Sequence, residues 1–228
     1  DTRGIIYNKR GHVYKVNLGT SKFNKIVDGD KNHIISIGSL VESDKGVIFS
    51  YEKYNSKGTM LEEKVGSLET KKINEVHSKG SMGNLFYYEG ELHAVGLRNR
   101  FDWPTNTAVL KLSSNGKVTF RHRTFDRNVV KAEVNNSVLY FLYEDSGKTL
   151  LRDGTNNIDL IDAEVTVKDF AFNNDKTYVI ANSFSKPDEV YELNNGQLEK
   201  TSKANEFFNK KVKTWDCEYR RIDTGKSK

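Results

Sequence analysis

The chain has 228 residues, 36 Lys and Arg against 31 Asp and Glu, and a net charge of +5. No run approaches the roughly 18 apolar residues that cross a bilayer, the N-terminal DTRGIIYNKRG has no basic segment followed by an apolar core, and the single cysteine, Cys217, excludes an internal disulfide and thiol-clustered metal sites. Nine basic and five acidic residues fall between Glu199 and Lys228, so the tail carries most of the charge, while the body interleaves both signs without the basic stripe of a nucleic-acid surface.

With 11 Tyr and 12 Phe against 2 Pro, and many short β-branched runs, the chain is written for strands. In chain order, GIIYN at Gly4 is followed by HVYKVNL, then GVIFSYEKY at Gly46, ELHAVGL at Glu91 leading to AVLKLSS and KVTFRHR, SVLYFLYED at Ser137 leading to TLLRDG, and KTYVIANSF at Lys176 leading to EVYELNN and QLEKTS. The leading runs start at Ile5, Val47, Leu92, Val138 and Thr177, at separations of about 42, 45, 46 and 39 residues, close to the period of propeller blades. The expected fold is therefore all-β, a β-propeller of about five visible blades.

Turn chemistry supports the hairpins. Asn115-Gly116, Asp153-Gly154 and Asn195-Gly196 suit two-residue type I′ turns, which need positive φ at both central positions, and Glu89-Gly90 is placed for the same role. In KTYVIANSF the bulky Tyr178, Ile180 and Phe184 alternate with Thr177, Val179, Ala181 and Ser183, so both faces of that strand are expected to pack. A β-sandwich is the competing architecture, although its turn signals come closer together. KANEFFNKKVK, residues 203 to 213, is compatible with a short helix bearing Phe207, Phe208 and Val212 on one side.

Motifs for chemistry are sparse. No Gly-x-Ser-x-Gly elbow occurs, and GSMG from Gly80 to Gly83 reads as a turn in a polar loop. His12, His33, His77, His93 and His122 stand singly, with no neighbouring carboxylate at ligand spacing, and are expected at the surface or on edge strands, so neither metal nor cofactor is expected. Paired carboxylates could in principle serve a propeller glycosidase, and Asp102, Asp126, Asp188 and Glu189 are the candidates, but acidic residues here fit turn and loop roles better. One loop stands apart: GLRNRFDWPTNTAVL, residues 96 to 110, sets Arg98, Arg100, Asp102 and Trp103 before Pro104. Guanidinium forks beside aromatics hold carboxylates and peptide backbone, and Arg127 in FDRNVV is expected on the same rim. The plainer reading pairs an arginine with Asp102 and packs Trp103 on a neighbouring blade.

From Val138 onward, NNSVLYFLYEDSGKTLLRDG and VTVKDFAFNNDKTYVIANSFSKPDEVYELNNGQLEKTSKANEFFNKKVK resemble the final propeller blades of the prolyl oligopeptidase (S9) family of serine peptidases, especially its acylaminoacyl-peptidase branch. The shared layout is a strand, a polar loop with Pro, an -ELY-L-like strand (here SFSKPDEVYEL), a Gly turn (NNGQLEK) and an exit segment (TSKANE). Upstream, YEGELHAVGLRNRFDWPTNTAVLKL and FNKIVDGD are similar to other blades of that family, more loosely. The family's propeller usually has more than five blades, and its Ser-Asp-His domain would begin near WDCEYRRIDTGKSK, so no catalytic residue transfers to this chain.

The resemblance implies a non-catalytic, TolB-like propeller over residues 1–202 and an exit segment over 203–228 leading to an α/β-hydrolase domain. Such a propeller would admit short peptides to the active site, exclude folded proteins and contribute to substrate binding; the composition of the loop makes Arg98, Arg100, Asp102, Trp103 and Arg127 the candidate peptide-binding residues. A cytoplasmic location is expected, with no membrane and no nucleic-acid partner, and oligomerisation stays open. A freestanding propeller that scaffolds protein partners is the second reading and the glycosidase the third.

Overall fold

The computed structural model describes residues 4–9, 11–44, 46–69, 72–77, 80–97, 106–113, 117–122, 127–215 and 220. Five antiparallel sheets follow one another along the chain, each built from consecutive strands. The first contains β1 (Gly4–Lys9), β2 (His12–Asn17) and β3 (Lys22–Val27), and the short α1 (Gly29–Asn32) leads out of it. The second contains β4 (Ile34–Ser43), β5 (Gly46–Tyr54), β6 (Leu61–Glu69) and β7 (Lys72–His77). The third contains β8 (Ser81–Tyr88), β9 (Glu91–Leu97), β10 (Ala108–Leu112) and β11 (Val118–His122). The fourth contains β12 (Val129–Asn135), β13 (Val138–Asp145), β14 (Lys148–Asp153) and β15 (Ile158–Asp159). The fifth contains β16 (Thr166–Asn173), β17 (Lys176–Ser183), β18 (Lys186–Asn194) and β19 (Gln197–Lys200), and α2 (Glu206–Lys211) comes after it. Because, among the described residues, no strand leaves its run to join another sheet, the arrangement is a series of meanders and not the strand exchange of a Greek-key sandwich.

The chain divides into two compact units, Asp1–Glu144 with Arg152–Ile158, and Asp145–Leu151 with Asp159–Lys228. In the first unit the second sheet is buried on both faces. Val47, Phe49 and Tyr51 of β5 pack with Val13 and Val27 of the first sheet, while Val65 of β6, with Val41 and Ile48, packs with Met82, Leu85, Ala94 and Leu110 of the third. Two-sided burial explains why β5 reads as a nearly continuous apolar run from Val47 to Tyr51.

The first strand of each four-stranded sheet carries a register shift: between Ile37 and Leu40, Met82 and Asn84, Val129 and Lys131, and Val167 and Asp169. The bulge re-aims a polar side chain. Ser39 Oγ accepts the N–H of Leu85 on β8 at 2.9 Å, and Asn84 Oδ1 accepts the N–H of Ala132 on β12 at 2.7 Å, so successive sheets of the first unit are joined by side chain to backbone. These bulges also correct a sequence expectation: GSMG is no loop, because Ser81 opens β8, Met82 is buried, and Gly83 is the bulge residue.

Of the expected tight turns, Glu89-Gly90 (φ 52° and 74°) and Asn195-Gly196 (φ 49° and 82°) join their strands as two-residue hairpins with both residues left-handed. Asn136-Ser137 and Ser146-Gly147 do the same without having been singled out. Asn115-Gly116 lies outside the described residues. Asp153-Gly154 behaves differently: four residues, 154–157, separate β14 from β15. The Asp153 carboxylate accepts the N–H groups of Thr155 (2.8 Å) and Asn156 (2.9 Å). Gly154 is needed there for proximity, since a Cβ would fall 2.7 Å from the Phe141 ring.

In the fifth sheet the expected two-sided packing of β17 does not hold. Val179 and Ala181 are buried, but Ile180 is 38% and Phe184 77% exposed. The small-residue face is the one covered.

Candidate functional site

The second and third strands of the fourth and fifth sheets are connected by two residues, 146–147 and 184–185, whereas β9 and β10 are separated by ten, 98–107. Arg98, Arg100, Asp102 and Trp103 belong to that insertion and lie outside the described residues, as does Asp126. The base of the insertion is described, and it is tightly held. Thr107 donates its N–H to Asn128 Oδ1 at 3.1 Å and its hydroxyl to the Val129 carbonyl at 2.6 Å, and its own carbonyl accepts the Val129 N–H at 3.0 Å. Asn128 donates Nδ2 to the Glu144 carboxylate at 2.8 Å, and its carbonyl accepts the Glu144 N–H at 2.9 Å. The β9–β10 insertion and the β11–β12 connection are therefore anchored to one another where β12 starts. Arg127, half-buried, sits one residue before the anchor, so the structure brings its segment to the foot of the arginine-rich loop. Sequence reasoning placed Arg127 on this rim but missed Thr107, Asn128 and Glu144, which come from the start of β10, the start of β12 and the end of β13.

The remaining carboxylate candidates do not form an acid–base pair. Asp188 and Glu189 are consecutive on β18 and so point to opposite faces. Asp188 is exposed and accepts Asn182 Nδ2 at 2.6 Å. Glu189 is only 3% exposed, and hydrogen bonds from Lys200 and Ser202 hold its carboxyl below the ordinary range, the opposite of what a proton-donating acid requires.

Two histidines depart from expectation. His93 is a core residue, 1% exposed, stacked on Phe86 at 5.6 Å and edge-on to Tyr88 at 5.7 Å, with Nδ1 3.0 Å from the Glu91 carbonyl. Its place on the doubly covered β9 decides this. His12, read as isolated, meets Asp28 and Asp30 through the fold, their ligand atoms all lying within 4.8 Å of one another. The arrangement serves the chain itself. His12 Nδ1 accepts the Gly29 N–H at 3.0 Å, Asp28 caps α1, and Lys25 lies 3.6 Å from the Asp28 carboxylate. Burial pushes the Asp28 carboxyl up, but the Lys31 N–H and the charges of Lys25 and Lys31 outweigh it and hold the carboxyl low.

At the opposite end of β9 from the insertion, a groove of about 560 Å³ is lined by Glu42, Asp44, Val47, Leu68, Tyr87 and Gly90. No helix among the described residues is long and apolar enough to cross a membrane.

No family model matches the chain, and no curated protein matches it. Among solved structures, the chain is similar over 96% of its length to acylaminoacyl peptidase from Pyrococcus horikoshii, at 13% identity and a TM-score of 0.56, spanning 46% of that protein. It is similar over 85% of its length to the β-propeller domain of the trilobed protease from Pyrococcus furiosus, which has an open velcro topology, at 10% identity and a TM-score of 0.51, spanning 76% of that chain. A gluconolactonase candidate is matched over 87% of this chain and 72% of its own at 12% identity and a TM-score of 0.53. At such identities the likeness is one of fold: the five sheets are those of a β-propeller domain. The chain spans less than half the length of the acylaminoacyl peptidase.

Proposed function

We propose that this chain is the non-catalytic propeller of a serine peptidase of the prolyl oligopeptidase family, and that its loop-bearing rim engages short peptides bound for an active site on an α/β-hydrolase domain of the full protein. The observation that carries the reading is the β9–β10 insertion, rich in arginine and aromatic residues, standing on a hydrogen-bonded base in a fold like that of acylaminoacyl peptidase. The fixed base lowers the ordering cost of binding, and the guanidinium groups of Arg98 and Arg100 suit peptide carboxylates and carbonyls. Trp103, close to them in the sequence, supplies an aromatic ring suited to apolar peptide side chains, and Arg127 comes from the anchored neighbouring segment. Residues 203–228 act as the exit toward the hydrolase, in a cytoplasmic enzyme.

The test has two parts. The reading frame beyond Lys228 should encode a Gly-x-Ser-x-Gly elbow within an α/β-hydrolase. In that full-length enzyme, the Arg98→Ala/Arg100→Ala pair should raise KM for short peptides about tenfold or more with kcat little changed. An unaltered KM removes the rim from substrate binding. The scaffold reading draws on one observation, the exposed Ile180, Phe184 and Phe207 of the second unit; stable protein complexes of the 228-residue chain lacking peptidase activity would favour it.

A further inference from the structure

The last sheet is joined to the chain that leaves it by a dense polar contact. Glu189, buried on β18, receives Lys200 Nζ on Oε1 at 2.5 Å and the Ser202 hydroxyl on Oε2. The same Ser202 Oγ accepts the Val190 N–H at 3.1 Å, a set of bonds that uses the hydroxyl as donor and acceptor at once. The Val190 carbonyl accepts the N–H groups of Thr201 (2.9 Å) and Ser202 (3.2 Å) and the Thr201 hydroxyl (3.1 Å). Asn205, at the start of α2, donates Nδ2 to the Asp188 carbonyl at 2.6 Å. Residues 188–190 thus hold Lys200, Thr201, Ser202 and Asn205.

The segment held this way buries almost nothing of its own. Thr201, Lys203 and the whole of α2 are exposed, with Phe207 at 76%. A six-residue helix is too short to persist by itself, and without apolar burial the cost of ordering six or more residues is not met by the hydrophobic effect. Its fixed course therefore has to come from the polar contacts. Their centre is a charge placed out of water, which is tolerable only while Lys200 and Ser202 satisfy it.

We propose that Glu189, Ser202 and Asn205 form a clamp that sets the route by which the chain leaves the last sheet, so that whatever follows α2 starts from a defined position and not from a loose tether. In the peptidase reading the clamp is the propeller-side anchor of the connection to the catalytic domain. That functional meaning rests on the reading above; the clamp itself does not.

Amide hydrogen exchange and limited trypsin digestion on the 228-residue chain test it. In Ser202→Ala/Asn205→Ala, exchange at residues 201 and 202 should rise about tenfold and cleavage after Lys203 should accelerate similarly, while the β17–β18 ladder around Val179 and Tyr191 keeps its protection. Unchanged exchange and cleavage with the ladder intact would overturn the clamp. Should the double variant lose the ladder as well, Asn205→Ala alone decides, since it removes only the bond to the Asp188 carbonyl: faster cleavage after Lys203 supports the clamp and an unchanged rate rejects it. An exit freed by these variants in an enzyme whose rim arginines prove dispensable would retain the clamp and discard the peptide-binding rim.

Discussion

The second and fifth sheets are built to the same plan and are buried to different extents. Each has four consecutive antiparallel strands, a bulged first strand and an apolar second strand, but β5 is covered on both sides whereas β17 is covered only on the side of Val179 and Ala181. What surrounds a sheet, and not its own alternation, decides which of its bulky residues count toward stability. The bulged strands differ too. Ser39 and Asn84 each reach across to the next sheet of the first unit, while Asp169 of β16, in the second unit, turns its carboxylate to the N–H of Phe170 at 2.8 Å.

The comparison can be broken most directly at Phe49, which is fully buried in β5. Phe49→Ala should cost about 3–5 kcal/mol in denaturant unfolding, through lost transfer energy and the cavity left behind; a loss near 1 kcal/mol would mean that the sheet is not packed on both faces. Asn84→Ala leaves the Ala132 N–H without its acceptor and should cost about 1–3 kcal/mol, with Asn84→Asp retaining most of the loss-free state because a carboxylate oxygen can accept the same bond. Thermal melts of the three proteins side by side check this.

Acid should act locally at the fifth sheet. Because the Glu189 carboxyl lies below its ordinary 4.5, its contribution is present above that value and is lost as pH falls through the depressed one. Backbone amide signals of Thr201 and Ser202 should report that loss in wild type and show no such titration in Glu189→Gln. The smallest effect belongs to Phe184→Ser, at the exposed turn before β18: unfolding free energy should move by no more than about 0.5 kcal/mol. A large destabilisation there would show that this residue is covered in solution.

Some strands were plain in the sequence because they read as apolar runs: β5, β9, β13 and β17 all fall where GVIFSYEKY, ELHAVGL, SVLYFLYED and KTYVIANSF place them, although β17 is covered on one side only. The first strand of each full sheet was far less visible, since a bulge at Gly38, Gly83, Val130 or Lys168 breaks the period of two on which strand reading depends. In the candidate site the arginine-rich loop was legible as composition, but its base was not. Thr107, Asn128 and Glu144 are ordinary polar residues until three strand ends meet, and His93 looks like any surface histidine until a neighbouring sheet covers it.

Local chemistry alone determined the repeating strands, the left-handed hairpins at Glu89-Gly90 and Asn195-Gly196, and the break in pattern between β9 and β10, because backbone φ preferences and side-chain alternation act within a few residues. Tertiary structure alone decided which faces are covered, how Ser39 and Asn84 join sheets, and how Glu189 holds the departing chain. Those outcomes depend on groups from 11 to 48 positions apart in the chain meeting at hydrogen-bond distance, and no window of sequence contains both partners' surroundings.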